Sequence, residues 1–275
     1  VSVQERAELA GARRVVVKVG SSSISGENAH KIEPIVHALA QAHARGSEIV
    51  LVSSGAIATG MPYLALDERP HDLATQQAAA AVGQNVLIYR YQESLRPFAI
   101  TAGQVLLTAG DLENATPRSN ARRAMERLLG LRILPIVNEN DTVATQEIRF
   151  GDNDRLAALV AQLIGADALV LLSDIACLYT RPPGEPGAEP IDRVAPDDDL
   201  SGFEFGSVVV NSVGTGGAAT KVSAARLASA AGIGVLVTSA DLVSEALAGH
   251  EVGTWFAPRA GGVAPLGTAA IQTSA

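Results

Sequence analysis

Short apolar runs and helical periodicities alternate along this chain almost from end to end. The first run, VVVKVG, has the β-branched density of a buried strand and stops in the polar loop GSSSISG. A helical pattern follows from about Ala29 to Arg45, and Gly46 is placed to stop it. EIVLVSSGAI reads as a second strand with its exit loop, and the Ala-rich stretch from Leu73 to about Leu95 as a long helix. ITAGQVLLT predicts a third strand, about Arg118 to Leu129 a helix, and ILPIVN a fourth strand. After a polar segment come a helix from Arg155 to Ile164, the strand ALVLLSD and the irregular stretch RPPGEPGAEPIDRVAPDDDLSG. The run VVVN, a glycine turn, the helix KVSAARLASAAG, the strand GVLVTSAD and a strand-like VGTWFAP complete the pattern. Strands alternating with helices predict βαβ units and a largely parallel sheet. The Pro, Gly and acidic content of the irregular stretch predicts a surface loop, and the small, polar residues after Pro258 predict a frayed tail.

The polar segment NENDTVATQEIRFGDND, Asn138 to Asp154, carries the densest chemistry. Its seventeen residues hold five carboxylates (Glu139, Asp141, Glu147, Asp152, Asp154) and four amides (Asn138, Asn140, Gln146, Asn153), with Arg149 the one base. Polar groups gathered where a buried strand ends are the usual material of a ligand site in an α/β protein. A solvated acidic hairpin is the alternative, with VATQEIRF pairing as a short ribbon. The amides favour the site, since they offer donors and acceptors together, as a zwitterionic ligand requires.

Composition narrows the field. At 275 residues and 47% hydrophobic the chain can bury a large core, and with 4% aromatics that core is aliphatic. A net charge of −8 disfavours nucleic acid as a partner. Cys177 is the single cysteine, so an intrachain disulfide and a tetrathiolate zinc site are excluded. The five histidines (His30, His37, His43, His71, His250) suggest no metal site. Lys18 interrupts the first apolar run, which argues against a signal peptide or a membrane span and for a cytoplasmic protein.

Two glycine turns carry lysines, and neither is a Walker A loop. In Lys18-Val19-Gly20-Ser21-Ser22-Ser23 the lysine ends a strand, and the loop amides behind it are suited to a phosphate. In Gly214-Thr215-Gly216-Gly217-Ala218-Ala219-Thr220-Lys221 the turn opens a helix, whose positive end would face a polyphosphate. An ordinary edge lysine and a flexible loop are the plainer readings. Gly214, Gly216 and Ala219 also satisfy a dinucleotide-binding G-x-G-x-x-A, with Asp241 ending the next strand as a ribose-binding acid would. That rival leaves little chain for a complete dinucleotide fold, and it gives Lys18, Ser54 and the polar segment no role.

The blocks VVVKVGSSS, LVSSGAIATG, QQAAAAVGQ, QVLLT, ILPIVNENDTVATQEIRFGDNDRLAALVA, LVLLSD, VGTGGAATK and VGTWF stand in this order between about Val15 and Phe256. Together they resemble the amino acid kinase family, and within it the branch that phosphorylates glutamate. The resemblance implies a three-layer αβα sandwich around a mainly parallel sheet. It implies one kinase domain over 1–275, with glutamate bound by about 15–165 and ATP by about 166–258, and no C-terminal PUA domain. Lys18 matches the lysine that reaches the transferred phosphoryl group, Lys221 its partner from the nucleotide side, and Asp154 the aspartate that holds both. Ser54, Asp141 and Asn153 match glutamate-binding positions, with Asn138 and Asp152 beside them. Lys18, Gly20, Ser173, Asp174, Thr215, Gly216, Gly217, Ala218, Ala219, Thr220 and Lys221 match the ATP-binding stretches.

The implied reaction moves a phosphoryl group from ATP, with Mg²⁺ carried on its phosphates, to the γ-carboxylate of L-glutamate. γ-Glutamyl phosphate, the first intermediate of proline synthesis, is the implied product. A carboxylate with a free pKa near ~4.3 is already ionised at neutral pH, so no general base is required. The resemblance further implies inhibition by free proline and a homo-oligomer, dimer or tetramer. Cys177 stands where the family usually has glycine, which predicts a mild perturbation of ATP binding if that position needs a positive φ or a close approach of the nucleotide. A non-catalytic binding protein on the same fold is the remaining alternative.

Overall fold

The computed structural model describes residues 3–143, 153–203 and 217–262. Its first half alternates as the pattern predicts: β1 (Arg14–Lys18), α1 (Ile32–Ala44), β2 (Glu48–Val52), α2 (Ala56–Gly60), α3 (Leu73–Leu95), β3 (Ala102–Leu107), α4 (Ala109–Glu113), α5 (Ala115–Gly130) and β4 (Leu134–Glu139). The second half contains α6 (Asn153–Ile164), β5 (Ala168–Ser173), β6 (Leu178–Tyr179), β7 (Pro190–Ile191), β8 (Arg193–Val194), α7 (Ala218–Ala230), β9 (Gly234–Ser239), α8 (Val243–Leu247) and β10 (Thr254–Phe256). Among the described residues eight strands form one sheet in the order β3-β4-β2-β1-β5-β9-β10-β8, and β6 pairs with β7 separately. From β3 to β9 every neighbour is parallel, while β10 runs antiparallel to β9.

Both faces of the sheet are covered, so successive strand residues enter opposite cores. Val15 and Val17 of β1, Ile49 and Leu51 of β2, and Val170 and Leu172 of β5 pack with α1, α3 and α8. Val16, Val50, Leu169 and Leu171 pack on the other face with α5, α6 and α7. This is the three-layer αβα sandwich the resemblance implied. The N-terminal end of the sheet is tied by Arg14, whose guanidinium reaches Glu48 at 2.7 Å and Glu126 at 2.9 Å. Among the described residues no helix is long and apolar enough to cross a membrane.

The long helix begins where Asp72 Oδ1 accepts a hydrogen bond from the Thr75 amide at 2.8 Å. It ends just before Arg96-Pro97, where the proline cannot extend it. Its close partner is α2, which the hydrophobic pattern had absorbed into the exit loop of the second strand. A Cβ on Gly83 would lie 1.7 Å from the Ala56 carbonyl oxygen, and one on Gly60 would lie 1.9 Å from that of Ala79. The two helices therefore cross backbone to backbone, with a glycine from each at the contact.

Three further differences have local causes. The residues from Gly26 to Lys31 form a 3₁₀ turn, so α1 starts at Ile32 and not Ala29. The irregular acidic stretch holds β7 and β8, and β8 completes the sheet edge through Trp255↔Arg193 and Phe256↔Val194. Two-residue strands are too short to show an alternation, which hid them in the sequence. Cys177 is not one of the non-glycine residues with positive φ, which among the described residues are Ala65, Ala99 and Arg132. The strain anticipated at Cys177 therefore does not arise. VVVN, most of the expected ribbon VATQEIRF and the tail beyond Gly262 lie outside the described residues.

Candidate active site

The sheet order places β1 beside β5, yet the chain continues from β1 toward β2 and from β5 toward β9. Such a switch point opens a crevice at the carboxyl ends of the strands. Lys18 is the last residue of β1 and pairs in register with Val52 and Leu171, so it sits at that rim. The Lys18-Val19-Gly20 turn that follows passes under Gly55, whose φ of 89° requires glycine and whose Cβ position lies 3.3 Å from Ser21 Cβ. The exit loops of β1 and β2 are thereby pressed together.

Asp154 is the hub. It occupies the second position of α6, where the positive helix end favours a carboxylate, and it is fully buried. Lys18 Nζ lies 2.5 Å from Asp154 Oδ1, and Lys221 Nζ, from the first turn of α7, lies 3.2 Å from Oδ2. The Thr220 hydroxyl is 3.1 Å from Oδ2 and 2.8 Å from the Gly217 carbonyl, and its single hydrogen serves one of them at a time. The Gly217 amide donates to Thr220 Oγ1 at 3.2 Å. Lys18 and Lys221 are 3% and 6% exposed, so two cations face one anion out of bulk water. One net positive charge remains at the rim.

Burial by itself would push the Asp154 carboxyl up, but the charges of Lys18 and then Lys221 outweigh it and hold it at about 2. A folded-state pKa below the unfolded 3.8 stabilises above that value and is lost as pH falls through it toward 2. The contribution is about 2 kcal/mol. Urea midpoints compared at about pH 5 and about pH 3 are expected to fall further for the wild-type protein than for Asp154→Asn. Equal falls would show that other carboxylates govern the acid limb.

A second network stands beside the hub. Asn153, the first residue of α6, donates from Nδ2 to the Ser53 carbonyl and to Asn138 Oδ1, both at 2.7 Å. Asn138 ends β4 with Glu139, is 3% exposed, and also accepts from the Glu139 amide at 2.9 Å. Ser53 Oγ pairs with the Tyr91 hydroxyl at 3.0 Å. Burial pushes the Tyr91 phenol up, so it remains neutral at every working pH. Adjacent residues of α6 thus serve two tasks: Asn153 ties the helix to the ends of β2 and β4, and Asp154 ties it to β1 and α7.

The remaining candidates fall around these networks. Ser54 follows Ser53 in the exit turn of β2, half-buried, and Asp141 lies in the turn just after β4, also half-buried. Gly20 caps the short 3₁₀ turn Ser21–Ser23, with its Cβ position 3.8 Å from Lys18 Nζ. Ser173 ends β5 and donates to Asp174 Oδ1 at 3.0 Å. Gly217 caps α7, and Ala218 and Ala219 open it. Asp152, Thr215 and Gly216 lie outside the described residues, as do Gly214, Gln146 and Glu147. Asp241 of the dinucleotide reading forms an ion pair with Lys31 at 3.0 Å. Among the described residues only the antiparallel β10 joins the sheet after β9 in sequence. Tyr91 and Gln84 were missed by sequence reasoning. The available signal was the spacing Gln84, Leu87, Ile88, Tyr91, one face of a helix with polar groups two turns apart.

Comparison with known proteins agrees with this architecture. Residues 13–239 match the model of the amino acid kinase family. The glutamate 5-kinase of Clavibacter sepedonicus is 72% identical over 254 residues, covering 92% of this chain and 98% of that protein. The glutamate 5-kinase of Salinispora arenicola is 54% identical over 257 residues, covering 92% of this chain and 70% of that longer protein. Among solved structures, carbamate kinase from Giardia lamblia bound to AMP-PNP superposes with a TM-score of 0.68 at 16% identity, covering 91% of this chain and all of that one (100%). UMP kinase from Bacillus anthracis gives a TM-score of 0.60 at 14% identity, covering 90% of this chain and 97% of that one. At such identities these two speak for the fold alone.

Proposed function

This chain belongs to the amino acid kinase family, and from that premise we propose that it transfers the γ-phosphoryl group of ATP to the γ-carboxylate of L-glutamate, the first step of proline biosynthesis. The observation that carries the reading is the buried pair Lys18 and Lys221 sharing the single carboxylate of Asp154. Bringing an anionic nucleophile onto a polyphosphate requires positive charge fixed in place before the reaction, in a site shielded from water. The lysines supply it from opposite sides of the switch point, one from β1 and one from α7. Relatives of 72% and 70% identity named glutamate 5-kinase support the acceptor.

In this reading Lys18 and Lys221 stabilise charge on the transferred group, and Asp154 keeps their ammonium groups converged between turnovers. Gly217, Ala218, Ala219 and Thr220 present α7's positive end to the nucleotide phosphates, Thr215 and Gly216 belong to the same ATP-binding stretch of sequence, and Ser173 and Asp174 border it from the end of β5. Ser54 and the backbone amide of Asn153 at the start of α6 orient the glutamate carboxylates, Asn138 stands beside them and holds the Asn153 side chain, and Asp141 and Asp152 receive the substrate's α-ammonium group. Mg²⁺ bound with ATP would offset part of the phosphates' charge. The rim chemistry of lysines and amides fits a metal carried by the nucleotide. Glutamate lies on the β2–β4 side of the sheet and ATP on the β5–β9 side. Free proline shares the α-carboxylate and a cationic nitrogen with glutamate, and so competes for its place. The protein works in the cytoplasm as a homo-oligomer.

The test is a coupled ADP-release assay with Mg-ATP and L-glutamate, L-aspartate or N-acetylglutamate. Turnover is expected with L-glutamate far above the other two. Equal rates with N-acetylglutamate would remove the acceptor assignment, because acetylation deletes the ammonium group that the carboxylates are there to receive.

A further inference from the structure

Behind the Asn153–Asn138 pair, between α3 and the strands β3 and β4, lies a small cavity whose walls are the aliphatic Leu87, Ile88 and Ile136 with polar groups from Ser53, Gln84, Tyr91, Gln104 and Asn138. About 10 Å³ of it is open to the centre of a water molecule, which is room for one water and nothing larger. Two amide nitrogens on its wall, Gln84 Nε2 and Asn138 Nδ2, are buried and have no hydrogen-bond partner among the described residues. Their residues are 9% and 3% exposed. The carbonyl ends of the same amides are engaged. Asn138 Oδ1 accepts from Asn153 and from the Glu139 amide, so its Nδ2 cannot be turned away without breaking both bonds. Gln84 Oε1 accepts from Gln104 Nε2 at 3.3 Å. Buried donors are ordinarily satisfied, by ordered water where the protein offers nothing else.

We propose that this cavity binds one structural water that accepts from Gln84 Nε2 and Asn138 Nδ2 and donates to the Ser53–Tyr91 hydroxyl pair, and that Gln84 and Tyr91 act through it as positioning residues for Asn138 and Asn153. Two donors and two hydroxyl acceptors complete the four bonds a water makes. The water closes a chain from α3 through Ser53 and Asn138 to the first residue of α6. Its effect falls on the glutamate side, because the Ser53–Ser54 loop and Asn153 are what the chain holds. The kinetic part of this inference rests on the glutamate reading of the site; the water itself does not.

An atomic-resolution crystal structure of the wild-type protein is expected to show one water within hydrogen-bond reach of both amide nitrogens, and Gln84→Met is expected to lack it. A wild-type cavity without such a water overturns the site, whatever the enzyme's activity. In kinetics, Gln84→Met and Tyr91→Phe should each raise the glutamate KM roughly two- to tenfold, the effect of one neutral hydrogen bond. Both kcat and the ATP KM should hold within about twofold, since neither variant touches the lysines. Lower melting temperatures with an unchanged glutamate KM would make the network purely structural and overturn the positioning role. Absence of glutamate-dependent ADP release from the wild-type protein would instead overturn the parent reading, with the water still decided by the electron density.

Discussion

Lys18→Met and Lys221→Met are each expected to lower kcat by roughly two or more powers of ten, the usual consequence of deleting a transition-state stabiliser. Methionine keeps most of the unbranched apolar stem and removes the terminal ammonium group with its charge. With both lysines present, the buried trio carries one net positive charge; with either removed it is neutral, and its attraction for a phosphoryl group collapses. Because the trio is shielded from water, that charge acts at lower effective dielectric than a surface lysine would. The interaction strengthens as negative charge moves through the transferred group, so kcat should fall more than the glutamate KM rises. Steady-state ADP release at saturating substrates, with thermal melting as a check on folding, separates the outcomes. Near-normal kcat in either variant would leave that lysine as a structural partner of Asp154 and nothing more.

Gly83→Val is expected to cost about 3 kcal/mol or more of unfolding free energy. Its Cβ would meet the Ala56 carbonyl at 1.7 Å, and the obstructing atom is backbone, which cannot rotate aside. The helices must separate, opening space along Ala79 and Ala80, both now fully buried. Gly83→Ala meets the same carbonyl, and its gain of about 1 kcal/mol in helix propensity does not offset the lost crossing. Because α2 starts just after Ser53-Ser54-Gly55, the displacement should also reach the site and raise the glutamate KM in any variant that folds. Gly130→Ala is the control: it lies at the end of α5 with nothing within 4 Å of its Cβ position. Denaturant unfolding should find it neutral or slightly stabilised. Equal behaviour of the two alanine variants would mean that α2 and α3 are not held by this contact.

Much of the site could be read along the chain because its residues sit at strand and helix ends, where pattern changes are sharp. Lys18 interrupts an apolar run, the Asn153-Asp154 pair begins a helical one, and Thr220-Lys221 follow a glycine turn. The family blocks then linked residues that spacing alone leaves unrelated. The second network was not legible in the same way. Ser53 and Ser54 are equivalent in a one-dimensional pattern, and it is Ser53 whose carbonyl and hydroxyl meet Asn153 and Tyr91. Tyr91 and Gln84 lay inside what read as an ordinary Ala-rich helix. A polar side chain in such a helix acquires meaning only when the neighbour across the interface is known.

By itself the sequence determined the alternation of strands with helices, the largely parallel sheet that follows from it, and the ends of the long helix. Each follows from local physics: the period of apolar residues, a capping aspartate and a proline that halts the turn. It also determined, through the family blocks, which charged residues to watch. Tertiary structure alone decided that Lys18 and Lys221, two hundred residues apart, spend their charge on one carboxylate. It alone decided the backbone crossing at Gly60 and Gly83, the sheet edge made by β8, and the cavity with its two buried amide donors. Those features are distances between segments remote in the chain. Sequence periodicity records which face of an element is apolar, and it carries no information about which other face will meet it.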